Sequence, residues 1–408
     1  MRGARKSRTL AASRRAERVQ MPIIPTVARW IAETPGTISL GQGVVHYGPP
    51  PAALKEIHAF PGNAADHKYV PDAGLPALRK TFEEKLRKEN RINAAFGRRI
   101  FVTAGANQGF LNALLCLCDP GDEVILLSPY YFNHEMAVRL AGCRAVCVPT
   151  DRTYQPRLPA IRAAVTRRTR AVVTVSPNNP AGVVYPPDAL RAINRLCADR
   201  GIYHVSDEAY EYFVYDGAVH YSPGSTGAEH TISLFSMSKS YGMASWRVGF
   251  LVVPEHLFDD MMKIQDTVII CAPAVSQAVA LGALAAGRPY CLRRLPAIAR
   301  VRERMLAAFS RIPDLLTIPP SQGAFYFLAK VHTRLDDLTL VERLIREHRV
   351  AVIPGGTFGF GKGSYLRISY GNLPSEAALE GTRRLVRGLK TILGDQGKTT
   401  PKGGRPMT

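Results

Sequence analysis

The sequence lacks several features that would have narrowed its role at once. No uninterrupted apolar run reaches the roughly 18 residues that a membrane-spanning helix needs. The most apolar window, residues 267–286, contains Pro273, Ser276 and Gln277 and reads as a buried segment and helix. None of the seven cysteines (Cys116, Cys118, Cys143, Cys147, Cys197, Cys271 and Cys291) forms a Cys-x-x-Cys motif, which argues against a zinc site. An odd number of thiols in mostly apolar surroundings fits reduced, buried cysteines in a cytoplasmic enzyme, not a disulfide framework. Acids are scarce: 33 Asp and Glu stand against 53 Lys and Arg, a formal net charge of +20. An excess of that size raises nucleic-acid binding, where clustered cations neutralise phosphates. Yet there is no zinc-finger spacing, helix-turn-helix signature or basic-aromatic platform. Many of the cations are interleaved with Glu along helical stretches, as in Lys80–Lys88. The expectation is a protein with neither a nucleic-acid nor a membrane partner.

What is present suits a large domain with a smaller companion: 408 residues, 46% apolar and 21% charged. Residues 1–20 carry seven Lys or Arg against one acid, Glu17, and no apolar signal core. Organelle transit segments share that composition, and the stretch reads as a disordered basic tail. Residues 394–408, rich in Gly, Pro, Thr and Lys, read as a second disordered tail. Seven short Val/Ile-rich runs lie at 100–103, 123–128, 145–149, 171–176, 202–206, 231–235 and 248–253, with helix-length stretches between several of them. They show little alternation, as strands buried on both faces do. This predicts an α/β large domain over residues 45–290, a seven-stranded mainly parallel sheet sandwiched by helices. A small α+β domain is expected over 291–393, with the segment 21–44 packing against it.

In open α/β sheets ligands sit at the carboxyl ends of the strands, so the polar residues just past each run are the ones to weigh. Phe235-Ser-Met-Ser-Lys-Ser-Tyr-Gly-Met-Ala-Ser-Trp-Arg-Val-Gly249 sets a lysine, Lys239, at a buried strand's end among small hydroxyls, with Arg247 eight residues on. An ammonium near other cations in a dry pocket loses basicity, which helps an amine act as a nucleophile. Asp207-Glu-Ala-Tyr210 follows another run, and Ser176-Pro-Asn-Asn-Pro-Ala-Gly182 forms a Pro/Gly turn containing Asn179. Val102-Thr-Ala-Gly-Ala-Asn-Gln108 opens a helix, whose first amides and dipole suit a phosphate, with Gly105 and Ala106 allowing close approach.

These motifs resemble those of the class I and II aminotransferases, and the resemblance spans about residues 20–393 with the motifs in the family's order. It implies the aspartate aminotransferase fold (fold type I) and pyridoxal 5′-phosphate as cofactor. Lys239 would carry the cofactor as a Schiff base and serve as general base and acid. Asp207 would pair with the pyridinium nitrogen, keeping the ring an electron sink. Tyr210 and Asn179 would bind the phenolic oxygen. Ser236, Arg247, Gly105, Ala106 and Asn107 would hold the phosphate end. In Tyr130-Tyr-Phe-Asn-His134 the spacing picks Tyr131 as the ring-stacking residue, with Tyr130 the competing choice, and His134 as the support of Asp207. Arg367, in Leu366-Arg-Ile-Ser-Tyr370, would clamp the substrate α-carboxylate. Gly41 belongs to a glycine loop over the substrate. Tyr69 would reach the phosphate of a neighbouring subunit, so a homodimer is implied.

Many prokaryotic-type aspartate aminotransferases of this group place a lysine where this chain has Asn107. A neutral amide there withholds one cation from a second substrate carboxylate. Gln42-Gly-Val-Val-His46, Thr103–Gln108 and Tyr210–Gly217 look instead like plant and cyanobacterial aromatic/methionine aminotransferases. The expected reaction is ping-pong transfer of an amino group from an aromatic amino acid or methionine to a 2-oxo acid. Aspartate transamination, lyase chemistry on the same cofactor and a cofactor-sensing regulator domain are the alternatives.

Overall fold

The computed structural model describes residues 12–62, 64–226 and 229–396. Its strands are β1 Ile38–Ser39, β2 Arg98–Thr103, β3 Glu123–Ser128, β4 Arg144–Pro149, β5 Thr169–Val175, β6 Tyr203–Asp207, β7 Thr231–Ser236, β8 Gly249–Pro254, β9 Leu316–Thr317, β10 Tyr326–Val331, β11 Val350–Ala351, β12 Ile353–Pro354 and β13 Ser364–Ser369. The main sheet has seven strands in the order β2-β8-β7-β6-β5-β3-β4. All of its neighbours pair in parallel except β8, which is antiparallel to both β7 and β2. This is the expected α/β sheet, with each strand within about two residues of the run that foretold it.

Helices cover both faces, and β3 shows why. Its alternate residues Val124 and Leu126 share a core with Phe110 and Leu114 of the helix Ala106–Leu117. Ile125 and Leu127 share another with Ile193 and Leu196 of the helix Pro187–Arg200. With apolar partners above and below, there is no solvent face to demand alternation, so the strand reads as a continuous apolar run. The helix Pro187–Arg200 stops at Gly201, whose φ of 62° is the left-handed cap that glycine adopts without a Cβ penalty.

The second sheet is antiparallel, in the order β12-β13-β10-β9, and packs with the helices Leu295–Phe309, Asp337–His348 and Ser375–Gln396. The N-terminal segment joins it through β1, which pairs in parallel with β11. Residues 350–354 are divided between two sheets: β11 serves β1, the chain steps at Val352, and β12 joins β13. Two tail boundaries differ from expectation. Inside the expected tail, Arg14–Glu17 make one helical turn whose start is capped by Ser13, its hydroxyl accepting from Ala16 N at 3.3 Å. At the other end the last helix runs on through Gly394 to Gln396, since no proline interrupts it there. Residues 1–11 and 397–408 of the two tails lie outside the described residues. The helix Ala274–Leu292 crosses the expected boundary at 290, and its break falls at Gly287 (φ 59°, ψ −168°).

This topology assembles one rim. β5, β6 and β7 run parallel and end there at Val175, Asp207 and Ser236. Because β8 is antiparallel, its first residue Gly249 arrives at the same edge, opposite both Ser236 and Thr103.

Candidate active site

A cavity with about 500 Å3 of unfilled space, its mouth included, opens on this rim. It is lined by Ala106, Asn107, Tyr131, Val175, Asn179, Asp207, Ala209, Tyr210, Ser236, Ser238, Lys239 and Arg247. Nine of the sequence-predicted residues are thereby brought together.

Lys239 sits in a short helix, Met237–Ser240, which starts where β7 ends because Ser236 caps it, its hydroxyl accepting from Ser238 N at 3.1 Å. The Lys239 ammonium donates to the carbonyl of Gly43 at 2.5 Å. Burial, then Arg367 and Arg247, bring its pKa down to about 8, against a smaller opposing pull from Asp207. About a tenth of this amine is therefore free base at pH 7, against less than about a thousandth for an ordinary lysine.

Asp207 is buried at the end of β6. One of its oxygens accepts from Ala209 N at 3.0 Å, and the other lies 3.1 Å from His134 Nε2. The His134 ring is held between Phe110, at 4.0 Å between centroids, and Tyr131, at 5.2 Å. Strand alternation decides which of two adjacent acids serves the site. Glu208, the next residue, lies outside the cavity lining and is buried with Ser222 and His220.

At the other end of the cavity Arg247 holds a left-handed backbone (φ 53°) and donates to Ser238 Oγ at 3.4 Å, Ala244 O at 2.9 Å and Ala104 O at 3.3 Å. Gly105 (φ 84°) lies directly beneath it, where a Cβ would come within 2.4 Å of the guanidinium. The helix Ala106–Leu117 begins at this point, so its unpaired first amides and an arginine share one corner. The fit to pyridoxal phosphate is direct. A cationic corner built around a helix start suits a phosphate, a buried carboxylate suits a ring nitrogen that carries a proton, and a lysine of lowered pKa suits an aldehyde. Among the described residues no group of three or more His, Cys, Asp or Glu is placed to hold a metal ion.

The small sheet closes the site. Arg367, on β13 and only 2% exposed, donates to Asn179 Oδ1 at 3.0 Å and Gly41 O at 2.7 Å. Its guanidinium lies 4.7 Å from the Tyr326 ring centre and 5.3 Å from that of Phe358. Asn179 in turn donates to the Tyr210 hydroxyl at 3.3 Å, and burial foremost holds that phenol well above its ordinary pKa. Of the two adjacent tyrosines, Tyr131 lines the cavity, whereas Tyr130 N donates to Phe358 O and its ring packs at Gly359. Tyr69 lies outside this cavity and is 80% exposed.

The sequence reasoning missed Val175, Ala209, Ser238, Gly43 and Tyr326. Ser238 was visible two residues from Ser236. Gly43 acts through its carbonyl, which carries no side-chain signal, and Tyr326 stands among apolar residues that give its hydroxyl no context.

The comparisons with known proteins agree with this geometry. The family described as aminotransferase class I and II matches residues 35–385. The aromatic aminotransferase ISS1 of Arabidopsis thaliana is 35% identical over 390 residues, 93% of this chain and 97% of that protein. The aspartate/prephenate aminotransferase of Thermus thermophilus is 36% identical over 334 residues, covering 80% of this chain and 83% of its own length. A solved aspartate aminotransferase of Thermus thermophilus, a single mutant, superposes with a TM-score of 0.85 at 31% identity, over 93% of this chain and all (100%) of that one. With the fold, the cavity and the sequence in accord, the chain belongs to the class I and II aminotransferases, enzymes that carry out transamination with pyridoxal phosphate.

Proposed function

We propose that this aminotransferase takes an aromatic amino acid or methionine as donor and a 2-oxo acid as acceptor, by a ping-pong mechanism. The carrying observation is the wall at Asn107. There a neutral amide beside Tyr131 faces the cavity, and the lining cations of this chain are Lys239 and Arg247. With Arg367 engaged by the α-carboxylate, a second carboxylate would be desolvated against an amide and an aromatic ring, at a cost that an apolar side chain avoids. The aromatic aminotransferase among its relatives supports the same reading.

Pyridoxal phosphate, when bound, supplies the electron sink that lets the substrate Cα release its proton. The Lys239 amine takes that proton and returns it, switching from base to acid. Arg367 fixes the substrate carboxylate in one orientation through paired N–H donors. Asp207, held by His134 and Ala209 N, would pair with the ring nitrogen. Tyr210 and Asn179 would donate to the phenolic oxygen. Arg247, Ser236 and the start of the helix Ala106–Leu117 would hold the phosphate, and Tyr131 would stack on the ring. The working form is read as a homodimer in the cytoplasm. Exposed Tyr69 shares a surface hollow with Phe60, Ile269 and Val275, a patch suited to a second copy. All the cysteines are free thiols, as a reducing compartment requires.

The test is the visible absorbance of the purified holoenzyme during addition of single amino acids. Phenylalanine, tyrosine, tryptophan or methionine should bleach the cofactor band, and a 2-oxo acid should restore it. Bleaching by aspartate alone would overturn the donor assignment. Bleaching that no oxo acid reverses would overturn the ping-pong cycle.

A further inference from the structure

We infer that Tyr326 is a positioning residue that couples the substrate-carboxylate clamp to the cofactor-facing hydroxyl of Tyr210. Its phenol would orient Tyr210 while its ring supports Arg367. The inference rests on the roles just proposed for Tyr210 and Arg367.

Four side chains make a closed circuit. Arg367 donates to Asn179 Oδ1 at 3.0 Å, Asn179 donates to the Tyr210 oxygen at 3.3 Å, and Tyr210 and Tyr326 share a hydrogen bond at 2.9 Å. The circuit closes where the Tyr326 ring lies 4.7 Å from the Arg367 guanidinium. All four residues are buried, so no bulk water substitutes for a missing partner. Tyr326 is also fixed in place. Ser321 Oγ lies 2.9 Å from its carbonyl oxygen and 3.0 Å from Gly182 O, one proton shared between two acceptors, which ties the start of β10 to the turn that carries Asn179. A Cβ on Gly43, whose carbonyl holds Lys239, would come 2.9 Å from the Tyr326 hydroxyl.

A phenol has one proton and two acceptor positions. If Tyr210 spends its proton on the cofactor, its oxygen must accept from both Asn179 and Tyr326, so Tyr326 is the donor in their pair. Two donated hydrogen bonds polarise the Tyr210 O–H and make it the stronger donor. The ring of Tyr326 does a separate job. Arg367 has carbonyl partners on one side only, and its Nε is buried without a hydrogen-bond partner, so the aromatic faces of Tyr326 and Phe358 complete its surroundings. Hydroxyl and ring can therefore be removed one at a time.

The experiment compares wild-type, Tyr326→Phe, Tyr326→Leu and Tyr210→Phe holoenzymes by two measurements. The first is the pH midpoint at which the bound cofactor's visible band titrates. The second is the calorimetric dissociation constant of 3-phenylpropionate, a carboxylate with no amine to react. A weaker donor at Tyr210 leaves more negative charge on the cofactor's phenolic oxygen, which holds the titrating proton more tightly. Tyr326→Phe should therefore raise the midpoint by about 0.7 pH unit, the worth of one ordinary hydrogen bond, with phenylpropionate binding within about twofold of wild type. Tyr326→Leu should in addition weaken phenylpropionate about tenfold through loss of the stacked ring. A midpoint that moves in Tyr210→Phe but not in Tyr326→Phe would overturn the inference while sparing the role of Tyr210. Wild-type phenylpropionate affinity in Tyr326→Leu would overturn the ring's part. A midpoint unmoved in Tyr210→Phe would remove the underlying reading of Tyr210, and the inference with it.

Discussion

On the rim of the main sheet, the local chain helps to place Lys239, Asp207 and Arg247, with Gly43, His134 and Ala104 as their remote partners. Ser236 caps the helix bearing Lys239, Asp207 is fixed by the amide of Ala209 two residues on, and Arg247 reaches back to Ala244 three residues before it. On the small-sheet side Arg367 is held by groups remote in sequence: Gly41, Asn179, and the rings of Tyr326 and Phe358. The rim can form as its strands and helix starts form, whereas the clamp exists only once both sheets and the N-terminal segment have docked. On the proposed roles this division is also one of labour, proton chemistry on the rim and gripping on the small sheet.

Substitutions can break that division or sharpen it. Lys239→Ala should cut kcat/KM for phenylalanine by about 10⁴-fold, the upper range for a positioned proton-transfer group, since nothing else on the rim replaces the amine. The rim also sets a pH signature. With Lys239 brought down to about 8 from 10.5, capture of pyridoxal phosphate by the apoprotein should rise with pH and be half-maximal near 8, followed by the visible band. A midpoint near that of an ordinary lysine would mean that the burial and the two arginines do not act as described. Arg367→Lys, which keeps the charge but loses the planar fork, should raise KM for the donor roughly 30-fold with a smaller change in kcat. A fall in kcat at constant KM would erase the distinction between the two sides. His134→Ala should lower kcat about tenfold by releasing one oxygen of Asp207, with KM little changed. The smallest effect is expected of Asn107→Lys. By adding a cation to the wall it should raise the aspartate-to-phenylalanine ratio of kcat/KM about fivefold.

The same contrast explains what could be read from the sequence. Asp207, Tyr210, Ser236, Lys239 and Arg247 stand in short contiguous motifs at strand ends, because a rim held together locally leaves a local signature. The seven strands were legible for a related reason: helices on both faces allow apolar residues at successive positions, and such runs stand out. Arg367 was found through the resemblance of its segment, but what holds it was not. Tyr326 is a buried tyrosine among Phe325, Phe327 and Leu328, and a hydrophobic pattern gives no sign that its hydroxyl meets another phenol across the lobes. Gly43 was quoted within its loop while Gly41 was chosen, since a carbonyl acceptor is the same in every residue. The helical turn at Arg14–Glu17 was hidden in a basic stretch whose composition suggested no structure, although Ser13 supplied the cap.

The antiparallel strand β8 has one more consequence. Ser236 and Gly249 are cross-strand neighbours, so the segment 237–248 leaves the rim and returns to its own starting point, with Lys239 near one end and Arg247 near the other. On the roles proposed for Arg247 and Lys239, a molecule held by its phosphate at the arginine would find the amine on the same tethered loop. Its second attachment is governed by an effective concentration set by the loop, not by the concentration in solution. Loose capture by charge and tight capture by the lysine would then be successive stages of a single encounter.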